Sequence, residues 1–251
     1  MDVNNAFLHK DLEEEVVMKL PPGHPQSGNF ILVCKLHKSI CGVKQSSRAW
    51  HAKLSITLEG LSFIRSITDS SLFIQLGSTH KLVVIIYVDD LIITGNNDDS
   101  ITQLKRSLQQ QFLIKDLGPL KYFLGIEMAA SRKGYFNQRK YIFDLLKDVN
   151  MLHTKPVANP LNNKFTLDSS SEPFISYTHY QKIVDKLIYL TITRANITFV
   201  VSLINGYMHA PTVQHLGMVK HILRYLKGTI SRGIIMTPNG HYNIMGYTDS
   251  Y

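Results

Sequence analysis

Asp89 and Asp90 stand side by side between strongly apolar flanks. Leu82 to Tyr87 runs into them through Val88, and Leu91, Ile92 and Ile93 follow before Thr94-Gly95-Asn96-Asn97. Two short apolar runs about a tight polar break predict a β-hairpin. Tight hairpin turns favour glycine or asparagine at positive φ, and Asp-Asp supplies neither. Adjacent carboxylates raise each other's pKa unless a cation intervenes. A hard divalent cation such as Mg²⁺, held by carboxylates together with substrate phosphates, resolves that conflict. The alternative is a solvated acidic hairpin tip, which fits less well because strands this apolar need cover.

Other residues with chemical potential lie on both sides of this stretch. Asp2 is the second residue and is followed by Ala6-Phe7-Leu8, then by the acidic run Asp11, Glu13, Glu14 and Glu15. Lys35, Lys38, Lys44, Arg48 and Lys53 form a basic stretch with Trp50 among them. Basic side chains with an interleaved aromatic suit a nucleic-acid groove, and a solvated helix face is an equal alternative. Trp50 itself reads as core, because Trp50, Leu54, Leu58 and Leu61 recur at helical spacing.

The elements that must position these groups alternate between paired strands and helices. Ile31 to Leu36 reads as a strand, and Ser71 to Leu76 pairs with Leu82 to Tyr87 about Gly77-Ser78. Ser100 with Gln103 has capping-box spacing, and Ile101, Leu104, Leu108 and Phe112 mark the buried face of the helix that follows. Tyr122 to Ile126 reads as a short strand, its Gly125 marking a close backbone approach. Tyr141 to Leu146 is a short amphipathic helix, and 155–172 is a loop rich in proline, asparagine and serine. Thr212 to Lys227 is the clearest helix, with Pro211 at its entrance and Gly228 beyond its end. Leu216, Val219, Ile222, Leu223 and Leu226 form its apolar face, with Lys220, Arg224 and Lys227 off it. Ile234 to Met236 and Asn243 to Thr248 read as a further hairpin. Strands paired in hairpins with helices between them give an α+β fold class.

Composition sets outer limits. The 251 residues are 44% hydrophobic and 18% charged, which suits a folded chain rather than a disordered one. The net charge of +8 favours a polyanionic partner. Cys34 and Cys41 are the only cysteines, so a zinc site is not expected and reduced thiols in an intracellular chain are. No apolar run is long enough to span a membrane, and the first residues resemble neither a signal nor a transit peptide.

Taken in order, the stretches resemble the polymerase region of a copia-type retrotransposon polyprotein, over nearly the whole chain. Asp2-Val3-Asn4-Asn5-Ala6-Phe7-Leu8-His9 resembles the first aspartate motif of the family's reverse transcriptase. Gly42-Val43-Lys44-Gln45 with Arg48-Ala49-Trp50 resembles the second, and Tyr87-Val88-Asp89-Asp90-Leu91-Ile92 the catalytic Tyr-X-Asp-Asp hairpin. Lys115-Asp116-Leu117-Gly118 and Lys121 to Glu127 resemble the segment that holds the primer end. Gly206 to Thr212 and Arg224 to Thr229 are similar to the connection, and Gly246-Tyr247-Thr248-Asp249 to the first strand of the ribonuclease H domain. The chain departs from the pattern at Lys10 (usually Gly), at Cys41, Ser46 and Ser47 (usually Tyr, Ala and Pro), and at Ala195-Asn196 (usually Pro-Asp).

The resemblance implies a polymerase palm with an antiparallel sheet, packed helices and partial fingers over 1–128. A mostly helical thumb and connection would follow over 129–228, and the start of ribonuclease H over 229–251. It implies RNA-directed DNA synthesis by two-metal nucleotidyl transfer, with Asp2, Asp89 and Asp90 holding two Mg²⁺ ions that Mn²⁺ can replace. Phe7 would select deoxynucleotides by crowding the sugar 2′ position, with a core phenylalanine as the competing reading. Gln45 and Arg48 would touch template or nucleotide, and Lys115 would protonate pyrophosphate. Phe123, Leu124, Gly125 and Ile126 would form the primer grip, and Asp249 would be the first ribonuclease H carboxylate. The implied partners are an RNA or DNA template with primer and deoxynucleoside triphosphates, in a cytoplasmic particle or the nucleus. Because the family has basic finger strands ahead of the first aspartate motif, the expectation for this chain alone is poor polymerisation or none. The alternative function is an inactive retrotransposon remnant, at most a basic nucleic-acid-binding module.

Overall fold

The computed structural model describes residues 1–9, 11–26, 32–78, 80–129, 134–161, 171–237 and 246. The chain forms two compact units, Met1–Pro119 and Leu120–Tyr251. Both mix helices with antiparallel sheets, in keeping with the α+β pattern of the sequence.

The first unit contains β1 (Asp2–Val3), β2 (Asp11–Lys19), β3 (Val33–Lys38), α1 (Ser46–Gly60), β4 (Ile64–Arg65), β5 (Leu72–Leu76), β6 (Lys81–Tyr87), β7 (Asp90–Gly95), α2 (Asp98–Gln111) and β8 (Ile114–Lys115). Six of its strands make one antiparallel sheet in the order β4-β5-β6-β7-β1-β8. The two-residue β1 is inserted between β7 and β8. β2 and β3 pair separately, so the acidic run is strand, and Lys35 meets Glu15 there at 3.3 Å. Alternation along β6 sends Leu82, Val84 and Ile86 inward, where they meet Trp50, Leu54 and Leu58 of α1 and Leu104 and Leu108 of α2. The helices therefore cover one face of the sheet and leave the other open to chemistry.

Local signals explain most of these bounds, with two shifts. β3 runs Val33–Lys38 rather than from Ile31 to Leu36, Ile31 lying outside the described residues. α2 starts before Ser100: Asn97 is its cap, accepting the Ser100 N–H at 2.9 Å through its side chain. Asp98 and Asp99 then occupy the first turn, where the helix dipole favours acids. Asparagine one residue ahead of two acids outcompetes the Ser100–Gln103 spacing.

The second unit contains β9 (Tyr122–Phe123), β10 (Ile126–Ala129), β11 (Tyr135–Asn137), α3 (Arg139–Asp148), α4 (Tyr177–Leu190), α5 (Thr198–Asn205), α6 (Val213–Gly228) and β12 (Gly233–Ile235). Its antiparallel sheet has the order β12-β11-β10-β9. The described pairing of 233–235 is thus with β11; the expected partner 243–248 lies outside the described residues, apart from Gly246. The four helices share one core, including Ile142, Leu146, Val184, Leu187, Ile204, Val219 and Ile222. The buried Tyr180 hydroxyl donates to the Ile204 carbonyl at 2.7 Å. Thr212 caps α6 in a box with His215.

Candidate active site

The hairpin carrying the two aspartates is tighter than the sequence suggests. β6 and β7 pair from Leu82↔Gly95 to Tyr87↔Asp90, so the loop is Val88–Asp89 and Asp90 is already strand. The positive φ falls on Val88, at 55°. That is the loop position where a glycine would ordinarily sit, and a β-branched residue there is strained.

β1 brings Asp2 to this hairpin. Asp2 lies directly opposite Asp90 on β7 and opposite Lys115 on β8. Residues directly opposite in an antiparallel pair project to the same face. Tyr87, Asp90, Asp2 and Lys115 therefore form one row across four strands. The alternate row, with Ile86, Leu91, Val3 and Ile114, is buried in the core. The division of faces explains why Asp2 stays accessible on an inner strand. Backbone bonds fix the junction: the Val3 N–H donates to the Asp89 carbonyl and the Leu91 N–H to the Met1 carbonyl, both at 2.9 Å.

The electrostatics are those of crowded acids. Partial burial raises the Asp90 carboxyl above its ordinary value, and the nearby charges of Asp89 and Asp2 push it further the same way. A group in that position gains from a proton or a cation. The donor set is all carboxylate oxygen, which fits a hard divalent cation such as Mg²⁺. Among the described residues, no three His, Cys, Asp or Glu side chains form a metal-holding group. The aspartates are neighbours by strand register, and their side chains are not gathered into a ligand shell.

The remaining candidates are more dispersed. Phe7 lies in a 3₁₀ turn (Ala6–His9) after β1, half-buried against the core. Gln45, just ahead of α1, donates to Glu14 at 3.0 Å through its side-chain amide. Arg48 is exposed on the first turn of α1. In the second unit, Phe123 pairs with Ile126, and Leu124 and Gly125 form the two-residue turn between them with φ of 48° and 81°. Gly125 is therefore a turn glycine and not a mid-strand one. The close approach it permits is by the rings of Tyr141 and Tyr189 rather than by backbone. The Tyr189 hydroxyl donates to the Leu124 carbonyl. Asp249 lies outside the described residues. On α6, Arg224 and Lys227 donate to the carbonyls of Lys155 and Thr154, which directs two of the three basic residues to the chain's own backbone.

Two features escaped the sequence. The indole N–H of Trp50 donates to the Val88 carbonyl at 2.7 Å, so a residue read as core also touches the loop. Arg194 is almost fully buried, held by Asn196 and Thr229 rather than by an acid. Only the departure at Ala195-Asn196 hinted at it.

A family model described as reverse transcriptase (RNA-dependent DNA polymerase) matches residues 1–163. The chain is 39% identical over 253 residues to the retrovirus-related Pol polyprotein from transposon RE2 of Arabidopsis thaliana, covering 100% of this chain and 17% of that polyprotein. The corresponding RE1 polyprotein of the same plant matches equally, at 39% over 253 residues and 17% of its length. That of transposon TNT 1-94 of Nicotiana tabacum is 34% identical over 263 residues, covering 100% of this chain and 20% of its own. The chain thus spans a fifth or less of the length of these relatives. No solved structure is significantly similar. No helix among the described residues is long and apolar enough to cross a membrane. The family model over residues 1–163 and the match of the whole chain to these polyproteins lead to one assignment: the chain belongs to the reverse transcriptase (RNA-dependent DNA polymerase) family, as the region found in copia-type retrotransposon Pol polyproteins.

Proposed function

We propose that the chain carries the nucleotidyl-transfer site of an RNA-directed DNA polymerase, with Asp2, Asp89 and Asp90 as the carboxylates that hold two Mg²⁺ ions. The observation that carries this reading is the pairing of Asp2 with Asp90, which joins residues from distant parts of the chain in one row on the open sheet face. Bound there, a pair of divalent cations would supply charge neutralisation and a sharpened hydroxyl nucleophile for in-line displacement at phosphorus. The protein's own residues supply position. Lys115, opposite Asp2, places a positive charge beside the row, suited to a departing pyrophosphate. Phe7, held by the turn after β1, would limit the sugar 2′ side, and Gln45 and Arg48 would contact template or nucleotide.

On this reading 1–128 is palm with part of the fingers, 129–228 thumb and connection, and 229–251 the start of ribonuclease H. The Phe123–Ile126 hairpin would be the primer grip. Exposed Lys38, Lys44 and Arg48 favour a second reading, in which the chain holds nucleic acid without turnover. The test is extension of a primer on an RNA template with deoxynucleoside triphosphates and Mg²⁺. Extension lost in Asp89→Asn supports the polymerase site, and extension that persists in that variant refutes it. Salt-sensitive primer–template binding without extension would instead support the second reading.

A further inference from the structure

The carbonyl oxygens of a two-residue hairpin loop ordinarily face water, yet both carbonyls of Val88–Asp89 are bonded to elements outside the hairpin. The Val88 oxygen accepts from the Trp50 indole at 2.7 Å, and the Asp89 oxygen from the Val3 N–H at 2.9 Å. Each peptide unit is a rigid plane. The Val88 carbonyl shares its plane with the Asp89 N–H, so fixing that oxygen restricts the rotation that aims the Asp89 side chain. The Asp89 carbonyl shares the next plane with the Asp90 N–H, so β1 does the same for Asp90.

The first of these restraints acts on the strained residue, since Val88 is the one with φ of 55°. A valine left to itself relaxes out of that region. The indole cannot follow it. Trp50 is 1% exposed, sits mid-core on α1, and meets the Phe112 ring edge-on at 5.2 Å. Burial alone accounts for a tryptophan in the core and for its N–H finding some acceptor. It does not account for the choice of the one carbonyl that controls the strained loop.

We propose that Trp50 is a positioning residue: its indole N–H holds the Val88–Asp89 peptide and thereby presents Asp89 and Asp90 on the open face of the sheet. Its bearing on cation binding rests on the metal site proposed above; its bearing on the loop does not.

The test uses the whole chain, with Trp50→Phe, Val88→Gly and the double variant. Phenylalanine keeps an aromatic ring in the core and removes the donor; glycine removes the strain at position 88. Circular dichroism confirms folding, and amide hydrogen exchange by nuclear magnetic resonance reads the loop without metal. Trp50→Phe should speed exchange at the Val3 and Leu91 amides about tenfold, the scale of one lost hydrogen bond, with Phe73 and Val84 unchanged. Val88→Gly in that background should recover most of the loss. Mn²⁺ affinity, by electron paramagnetic resonance, should fall about tenfold in Trp50→Phe and recover in the double variant. Unchanged exchange, exchange faster across the whole sheet, or a loss that Val88→Gly does not relieve would overturn the proposal. Faster exchange with unaltered Mn²⁺ affinity would overturn the link to the site. Wild-type chain that binds no Mn²⁺ would count against the metal site, while exchange still judges the hold on the loop.

Discussion

Replacing Asn196 by aspartate should stabilise the second unit. Arg194 is 1% exposed, and its guanidinium is held by neutral acceptors: the Asn196 side chain at 3.3 Å and the Thr229 carbonyl and hydroxyl at 3.0 and 2.6 Å. Its charge lies near the Tyr225 ring, 5.8 Å from the centroid. Among the described residues no carboxylate pairs with it. Burial pulls its pKa below the ordinary value, which marks an under-compensated cation. A carboxylate at the Asn196 position would attract it by about 5 kcal/mol at an effective dielectric near 20. Desolvating that carboxylate costs several kcal/mol, so a net gain of roughly 1–2 kcal/mol remains. The Tyr225 hydroxyl, which now accepts from the Asn196 amide, can turn and donate to the new oxygen. Thermal unfolding by far-ultraviolet circular dichroism should show a midpoint roughly 3–6 °C higher at neutral pH. The new aspartate's folded pKa would be depressed, so its contribution is present above about pH 4 and lost as pH falls through the folded value. Asn196→Ala should cost about 1–3 kcal/mol by stranding the guanidinium and the phenol. An Asn196→Asp chain no more stable than wild type at neutral pH would refute the reasoning: Arg194 would then be satisfied by neutral acceptors alone.

Asp90→Asn should raise stability slightly, by about 0.5 kcal/mol or less after solvent screening, because the raised carboxyl pKa makes its charge unfavourable above pH 4; urea titration at neutral pH checks this, and a clear loss would contradict the crowding of acids. His215 is buried, its Nδ1 accepting the Thr212 N–H at 2.9 Å, and burial lowers its pKa below 6.5. The unfolded chain therefore takes up the proton first, and the stability held above pH 6.5 is lost as pH falls through 6.5 towards the folded value. His215→Gln keeps a capping-box residue and should lose that part of the slope in urea titrations across this window. Gly125→Ala should cost about 1–2 kcal/mol, since φ is +81° and the new Cβ meets Tyr141 at 3.3 Å; a melting point equal to wild type would contradict the turn assignment.

Much of the architecture was legible because it is local. Trp50, Leu54 and Leu58 gave the buried face of α1, the apolar runs about residues 88–89 gave the central hairpin, and Pro211 marked the entrance of α6, whose last residue is Gly228 rather than the expected Lys227. What local pattern does not carry is pairing over distance. β1 is two residues long, and no periodicity announces that it fits between β7, about ninety positions away, and β8, where Asp2 meets Lys115. The grouping of Asp2 with Asp89 and Asp90 comes from the resemblance alone; the register pairs Asp2 with Asp90 on one side and with Lys115 on the other. Turn details were misread where one residue outweighs a pattern, as with Asn97 over Ser100 and positive φ at Leu124 and Gly125. The indole bond to Val88 was invisible because a buried tryptophan at helical spacing has the same signature whatever its N–H meets.

Mn²⁺-induced broadening of amide resonances tests the central claim most directly, because the effect falls steeply with distance from the bound ion. At low Mn²⁺, Val3, Val88 to Leu91 and Lys115 should broaden first while Ile64 and Arg65 of β4, at the far edge of the same sheet, stay sharp, and Asp89→Asn should abolish the effect. Broadening centred on the acidic strand Asp11–Lys19 or on Asp98 and Asp99, or unchanged in Asp89→Asn, would contradict the assignment of Asp2, Asp89 and Asp90 as the cation site.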